Sequence, residues 1–190
     1  MQSLRLARPH AIMMVGIPGS GKTFFAAKFA EMFHAPYVDS LVIEALAQDS
    51  EAAGKLISII MGEVAKCGQT FVFEGNSDSR VRRTEFFRWA RSRGFQPLLI
   101  WVQTDQVTSL SRTLKNGSLN KDEFHDYLRD FSAPHPDEKA IVISGKHTFN
   151  SQLKVVLSYL SRENRASAEP LPKLHTAVPP RPTTRPIVIR

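Results

Sequence analysis

The chain has 190 residues, 42% hydrophobic and 23% charged, a size and mix that suit one globular domain with an appendage and exclude wholesale disorder. Its one cysteine, Cys67, excludes an intramolecular disulfide and a cysteine-rich zinc site. A formal charge of +7 favours anionic partners, whether nucleotides, nucleic acid or an acidic membrane face.

No apolar run approaches the ~20 residues of a spanning helix. The basic start is followed by too few apolar residues for a secretory signal and reads as the lead into a strand. A soluble cytoplasmic protein is the expectation.

In chain order, short apolar strands alternate with amphipathic helices. Ala11–Val15 reads as a buried strand and 22–33 as a helix, with Phe25, Phe29, Met32 and Phe33 in one core-facing stripe. Pro36–Asp39 is a brief second strand, and helical patterns cover 41–48 and 51–66. Thr70–Glu74 is a third strand, Ser79–Arg93 a helix and Pro97–Val102 a fourth strand. Asp105 can cap a helix running to Lys115, and Asn120 with Glu123 forms a capping box for a helix reaching Phe131. A fifth strand, Ala140–Ile143, and a helix over 150–160 complete the pattern. Trp89 and Trp101 fall in core patterns. The expected fold is α/β, about five parallel strands covered by helices on both faces. Ligands in such folds bind beyond the carboxyl ends of the strands.

Immediately after the first strand stand Gly16, Ile17, Pro18, Gly19, Ser20, Gly21, Lys22 and Thr23, a full match to G-x-x-x-x-G-K-[ST] with a strand before and a helix after. The glycines let backbone N–H groups turn inward around a phosphate chain, and the helix start adds its positive end. Lys22 supplies a point charge to the β and γ phosphates, and the Thr23 hydroxyl suits Mg²⁺. Asn120–Glu123 only approaches the N-K-x-D element of guanine-specific proteins and follows no apolar strand. ATP is therefore expected over GTP.

Further candidates lie after later strands. Asp39 is placed to accept the proton of an attacking hydroxyl, or to cap the next helix; the two roles are compatible. Glu74 ends the third strand, where an acid orients Mg²⁺, and Asn76 follows it, with Ser77 or Asp78 expected as the next cap. In the following helix Arg80, Arg83, Arg88 and Arg91 span about a 140° arc, an ordinary solvated face. Arg80, Arg82 and Arg83 lie nearest the site and are candidates for an acceptor phosphate. Arg112 and Lys115 close the helix after the fourth strand, where Arg112 could stabilise transition-state charge. The histidines, His135 and His147 included, show no metal-ligand spacing.

Beyond 160 the periodicity stops. Residues 161–190 hold half of the chain's 12 prolines, and six basic residues there against two acidic ones put +4 of the +7 surplus on this stretch. It reads as a basic, disordered tail following a domain of residues 1–160. Nucleic acid is a possible partner of the tail, and Pro179 to Pro182 has the P-x-x-P spacing of aromatic-groove ligands.

Together these elements resemble the small P-loop kinases of the polynucleotide 5′-kinase and zeta-toxin-like group, over about residues 12–160. The resemblance rests on Gly16–Thr23, Asp39, Glu74-Gly-Asn76, the arginines that follow and the Arg112 segment. It implies a three-layer P-loop kinase fold and Mg²⁺-dependent transfer of the ATP γ phosphate to a hydroxyl, with Asp39 as base and Arg112 as a lid residue. The acceptor would be a polynucleotide 5′-end or a small phosphorylated metabolite. Three positions depart from that group: Val42 where its polynucleotide kinases carry arginine, Glu74 where Asp is common, and Asn116 where a second lid arginine is usual. A different class of function, an ATP-binding switch or ATPase acting on a protein partner, shares the same nucleotide site.

Overall fold

The computed structural model describes Leu6 and residues 8–168. Five parallel strands form one sheet: β1 (His10–Val15), β2 (Tyr37–Asp39), β3 (Phe71–Glu74), β4 (Gln96–Gln103) and β5 (Ile141–Ser144). Their spatial order is β2-β3-β1-β4-β5. The helices are α1 (Lys22–Phe33), α2 (Ser40–Leu46), α3 (Ser50–Lys66), α4 (Arg80–Ser92), α5 (Gln106–Lys115), α6 (Lys121–Asp130) and α7 (Phe149–Ala168). This is the three-layer α/β architecture expected from the sequence.

β1 explains why the sheet is covered twice. All six of its residues are buried, and successive side chains of a strand point to opposite faces. Ile12 and Met14 enter a core with Phe25 and Phe29 of α1 and Val156 and Leu160 of α7. Ala11, Met13 and Val15 enter a second core with Met61 of α3 and Phe86 and Ala90 of α4. On α1 the buried stripe is Phe25, Ala26, Phe29 and Ala30. Met32, expected in it, is 42% exposed, and Ala26 and Ala30 take the buried positions beside the two phenylalanines.

Two boundaries moved. α7 runs to Ala168, past the expected stop at 160, because the helix can continue on polar residues after its apolar stripe has ended. The proline-rich stretch 169–190 lies outside the described residues. α4 is capped by Ser79, whose side chain accepts from the Arg82 N–H, and not by Ser77 or Asp78 as expected; Asp78 pairs with the Arg82 side chain instead.

The largest correction on α4 is Arg83. The solvated arc assigned to it from periodicity, and its candidacy for a substrate phosphate, both fail because its side chain is wholly buried. Its Nε and Nη2 donate to Glu138 at 2.7 and 2.9 Å, and Nη1 donates to the carbonyls of Ser77 and Ser132 at 3.0 and 2.8 Å. Arg83 thus ties α4 to the segment between α6 and β5. Burial would raise the Glu138 carboxyl, but hydrogen bonds from Arg83 and the His135 N–H hold it below its ordinary 4.5.

Breaking a buried pair from one side strands a charge, so Arg83→Ala should cost about 3–5 kcal/mol of stability in a urea titration. Because the Glu138 value is depressed on folding, the pair's contribution is whole above about pH 4.5 and is lost as pH falls through the lower folded value.

Candidate active site

The crevice beside β1 is where the chain reverses its direction of growth across the sheet, running to β2 on one side and to β4 on the other. Helices α2, α3, α4, α5 and α6 each begin with a side-chain cap, from Asp39, Asp49, Ser79, Asp105 and Asn120. α1 begins at Gly21 in the left-handed region, with no side-chain cap and no acid in its first turn. Its first N–H groups are thereby left for an anion, which the helix dipole favours.

The loop before it, Gly16 to Thr23, packs tightly against its surroundings. Gly19 has φ of +73°, and a Cβ there would sit 2.3 Å from the Ser109 carbonyl oxygen of α5. Lys22 extends along the loop, its Nζ 3.2 Å from the Ile17 carbonyl. Burial lowers its pKa, and the nearby Glu74 and Asp39 carboxylates oppose that shift. These charges favour the ammonium that a phosphate chain needs.

Glu74 closes the site from below. It is 2% exposed, and its two carboxylate oxygens are held separately: Thr23 Oγ1 donates to Oε1 at 2.8 Å, and the Tyr37 hydroxyl donates to Oε2 at 2.8 Å. The same Tyr37 oxygen lies 3.2 Å from Asp39 Oδ2. One hydroxyl proton therefore faces two carboxylates. Burial first, then these two acids, push the Tyr37 phenol far above its usual pKa, so it stays protonated. The other Asp39 oxygen caps α2 by accepting from the Leu41 N–H at 3.0 Å. One Asp39 oxygen thus caps α2 while the other faces Tyr37.

No group of three or more His, Cys, Asp or Glu side chains capable of holding a metal occurs among the described residues. A Mg²⁺ bound with phosphates needs fewer protein ligands, since it keeps waters and takes phosphate oxygens. The pair Thr23 Oγ1 and Glu74, hard oxygen donors in contact with each other, fits that ion.

Above the loop lies a cavity of about 490 Å³ lined by Gly21, Lys22, Thr23, Arg112, His147 and Gln152 among others. Arg112 reaches across from α5, its Nη1 donating to the carbonyls of Gly145 at 3.0 Å and Gly19 at 3.5 Å. Asn116 lines the same cavity, in place of the second arginine of the resembling group. Lys146 pairs with Asp105 at the rim. The remaining candidates sit apart from this cavity. Asn76 has φ of +46° and lines a separate depression of about 380 Å³ with Arg82, Glu85 and Trp89. Arg80 is exposed, 3.9 Å from Asp137.

Two participants escaped sequence reading. Tyr37 could have been found, because it precedes Asp39 by two residues on a strand and so shares its face. Gly145 could not. A Cβ there would meet the Ser20 carbonyl oxygen at 1.9 Å and Thr104 Oγ1 at 2.3 Å, an approach set by β5 docking beside β4.

The sheet order, the covered faces and the loop at the head of α1 define the P-loop kinase fold. Solved structures agree. A gluconokinase from Sinorhizobium meliloti 1021 matches with a TM-score of 0.64 at 14% identity, covering 84% of this chain and 95% of its own. A sugar kinase from Janibacter sp. HTCC2649 matches with a TM-score of 0.63 at 18% identity, covering 81% and 95%. A shikimate kinase from Acinetobacter baumannii, in complex with shikimate, matches with a TM-score of 0.54 at 19% identity, covering 83% and 96%. At these identities the likeness is one of fold: it bears out the P-loop kinase fold that the resemblance implied, and not the polynucleotide 5′-kinase and zeta-toxin-like group. No protein-family model and no curated protein sequence matches the chain. Among the described residues, no helix is long and apolar enough to cross a membrane.

Overpacking a tight contact costs about 1–3 kcal/mol. Gly145→Ala, which pushes on the P-loop through Ser20, should therefore weaken ADP binding by about tenfold in a calorimetric titration.

Proposed function

We propose that this protein is an ATP-dependent phosphotransferase that moves the γ phosphate to a hydroxyl of a small acceptor. The observation that carries this reading is the hydrogen-bonded line from Thr23 through Glu74 and Tyr37 to Asp39. It joins the phosphate-binding loop to a carboxylate at the start of α2.

In this reading the uncapped start of α1 and Lys22 hold the phosphates, and Arg112 faces them from α5. Mg²⁺ held by Thr23, with Glu74 orienting its waters, would neutralise phosphate charge. Asp39 Oδ2 accepts the proton of the acceptor hydroxyl as its oxygen bonds to the γ phosphorus, and the bond from that phosphorus to the β-γ bridging oxygen breaks to release ADP. Tyr37, kept protonated, holds the Asp39 and Glu74 carboxylates in place.

A small acceptor is preferred over a polynucleotide 5′-end for two reasons. The structural neighbours named above are kinases of sugars, of gluconate and of shikimate by name. The arginine expected near a phosphorylated nucleic-acid acceptor is Val42 here, 56% exposed one turn beyond Asp39. Asn76 and Arg82, on the β3–α4 side, remain candidates to hold the acceptor's polar groups. A cytoplasmic location, with its ATP supply, suits this activity.

The deciding measurement is an acceptor screen with γ-labelled ATP, covering sugars, sugar acids, other hydroxylated metabolites and oligonucleotide ends. ATP loss stimulated by a protein partner alone, with no labelled acceptor, would favour the switch or ATPase reading. Lys22→Ala should abolish transfer. Asp39→Asn should lower turnover by about 10²–10⁴ with ADP affinity unchanged. Asn is as good a helix cap as Asp, so the start of α2 survives the change and a loss of turnover reports on the base.

A further inference from the structure

A helix on the surface of a domain keeps its apolar residues in one stripe toward the core and its polar residues outside. α3 departs from that pattern. Its Ile57, Met61 and Val64, at i, i+4 and i+7, pack into the core that holds Phe71 and Phe73 of β3. Leu56, Ile59 and Ile60 form a second stripe at i, i+3 and i+4 that stays exposed, Ile59 by 62%. α2, which packs against α3, adds Leu41, Val42 and Leu46, all exposed. Six of the 13 exposed large apolar side chains among the described residues thus fall on two neighbouring helices, a concentration that marks an interaction surface.

Charge selects the occupant. Residues 40–66, which hold both helices, carry two more acidic than basic residues in a chain with a surplus of +7. A second copy facing its own image here would set acid against acid. Residues 169–190 carry the opposite excess, Lys173, Arg181, Arg185 and Arg190 against Glu169. Within them Arg185-Pro-Ile-Val-Ile-Arg190 places three β-branched apolar residues between two arginines. On α3 the counterpart is Glu63, one turn beyond Ile59 on the same face. It is exposed and paired with Lys66 at 2.7 Å, a surface pair of little net strength that an arginine can share or displace.

The path is short. α7 reaches the edge of the sheet where β1 and β4 begin: Glu163 pairs with His10 at 3.2 Å and accepts from the Gln96 side-chain amide at 3.2 Å. The His10 backbone N–H donates in turn to Thr70 Oγ1 at 3.0 Å, and Thr70 follows α3 by four residues. The chain beyond Ala168 therefore starts on the same edge of the sheet as the end of α3. That 17-residue helix is about 25 Å long, and the 22 residues 169–190 span at most about 75 Å. We propose that residues 185–190 dock on the exposed stripe of α3 in the same molecule, with Ile187, Val188 and Ile189 covering Leu56, Ile59 and Ile60 and a flanking arginine meeting Glu63. The inference is independent of the proposed reaction.

Cys67, the chain's sole cysteine, caps the end of α3 and is exposed, so a nitroxide attached there reports on whatever approaches that helix. In the spin-labelled full chain, the amide resonances of Ile187, Val188 and Ile189 should be lost to broadening and return when the nitroxide is reduced. Ile59→Lys and Ile187→Lys should each restore them with the nitroxide intact. Ile59 already stands in solvent, so its replacement leaves the core untouched, and unchanged resonances from β1 verify this. Full-strength resonances from 187–189 in the spin-labelled wild type would overturn the proposal. So would broadening that survives Ile59→Lys, the mark of mere tethering near Cys67. A mixture of spin-labelled chain with a separate isotope-labelled chain distinguishes self from partner. Broadening in that mixture would assign the surface to a second copy and overturn docking within one molecule. No nucleotide or acceptor enters these measurements, so an unsuccessful acceptor screen leaves the proposal standing.

Discussion

The site depends on one buried carboxylate. Glu74 ends β3 beneath the P-loop with almost no exposure, and a charge removed from water must be paired or hydrogen-bonded. Thr23 and Tyr37 each take one of its oxygens. Those two contacts connect three separate pieces of chain: the first turn of α1, the edge strand β2 and the central strand β3. Because Tyr37 also faces Asp39, satisfying Glu74 fixes where the Asp39 carboxylate sits relative to the loop at the head of α1. The geometry of the site is thus a consequence of solving a burial problem.

The same economy operates at the opposite wall. α5 packs on Gly19 closely enough that even a methyl group there would meet a carbonyl at 2.3 Å, and the β5–α7 turn packs on Ser20 through Gly145 at 1.9 Å. Arg112 then crosses the gap between these two contacts. A loop clamped on both sides presents its N–H groups without reorganising when charge arrives, the condition under which such dipoles are most effective. The uncapped start of α1 is the counterpart of this rigidity: every other helix from α2 to α6 consumes its first N–H groups with a side chain, and α1 keeps them for a ligand.

Much of this was legible in the residues. The alternation of apolar strands with amphipathic helices predicts the doubly covered parallel sheet, because each strand must be buried on both faces. The Gly16–Thr23 match, set between strand and helix, predicts an open helix start. Asp39 and Glu74 are legible from their places at the ends of apolar strands, on the carboxyl edge of the sheet. The arginines of α4 mark the limit of such reasoning. Periodicity places Arg83 on a solvated arc, yet Glu138, 55 residues later, covers it and makes it a strut.

The division has a physical basis. Local periodicity, turn chemistry and the spacing of glycines act over a few residues, and they determined the strands, the helices, the P-loop and the strand-end positions of Asp39 and Glu74 from the sequence by itself. Partnership over long separations did not show there. Tertiary structure alone paired Arg83 with Glu138, set Tyr37 between two carboxylates, brought Gly145 against Ser20, and tied the Gln152 amide to the Ser144 carbonyl. Each of these is decided by which strand docks beside which, in the order β2-β3-β1-β4-β5. The surplus of charge divides along the same line: the +7 could be counted from the sequence, but which cations line the cavity at the head of α1 and which serve as struts depended on the folded chain.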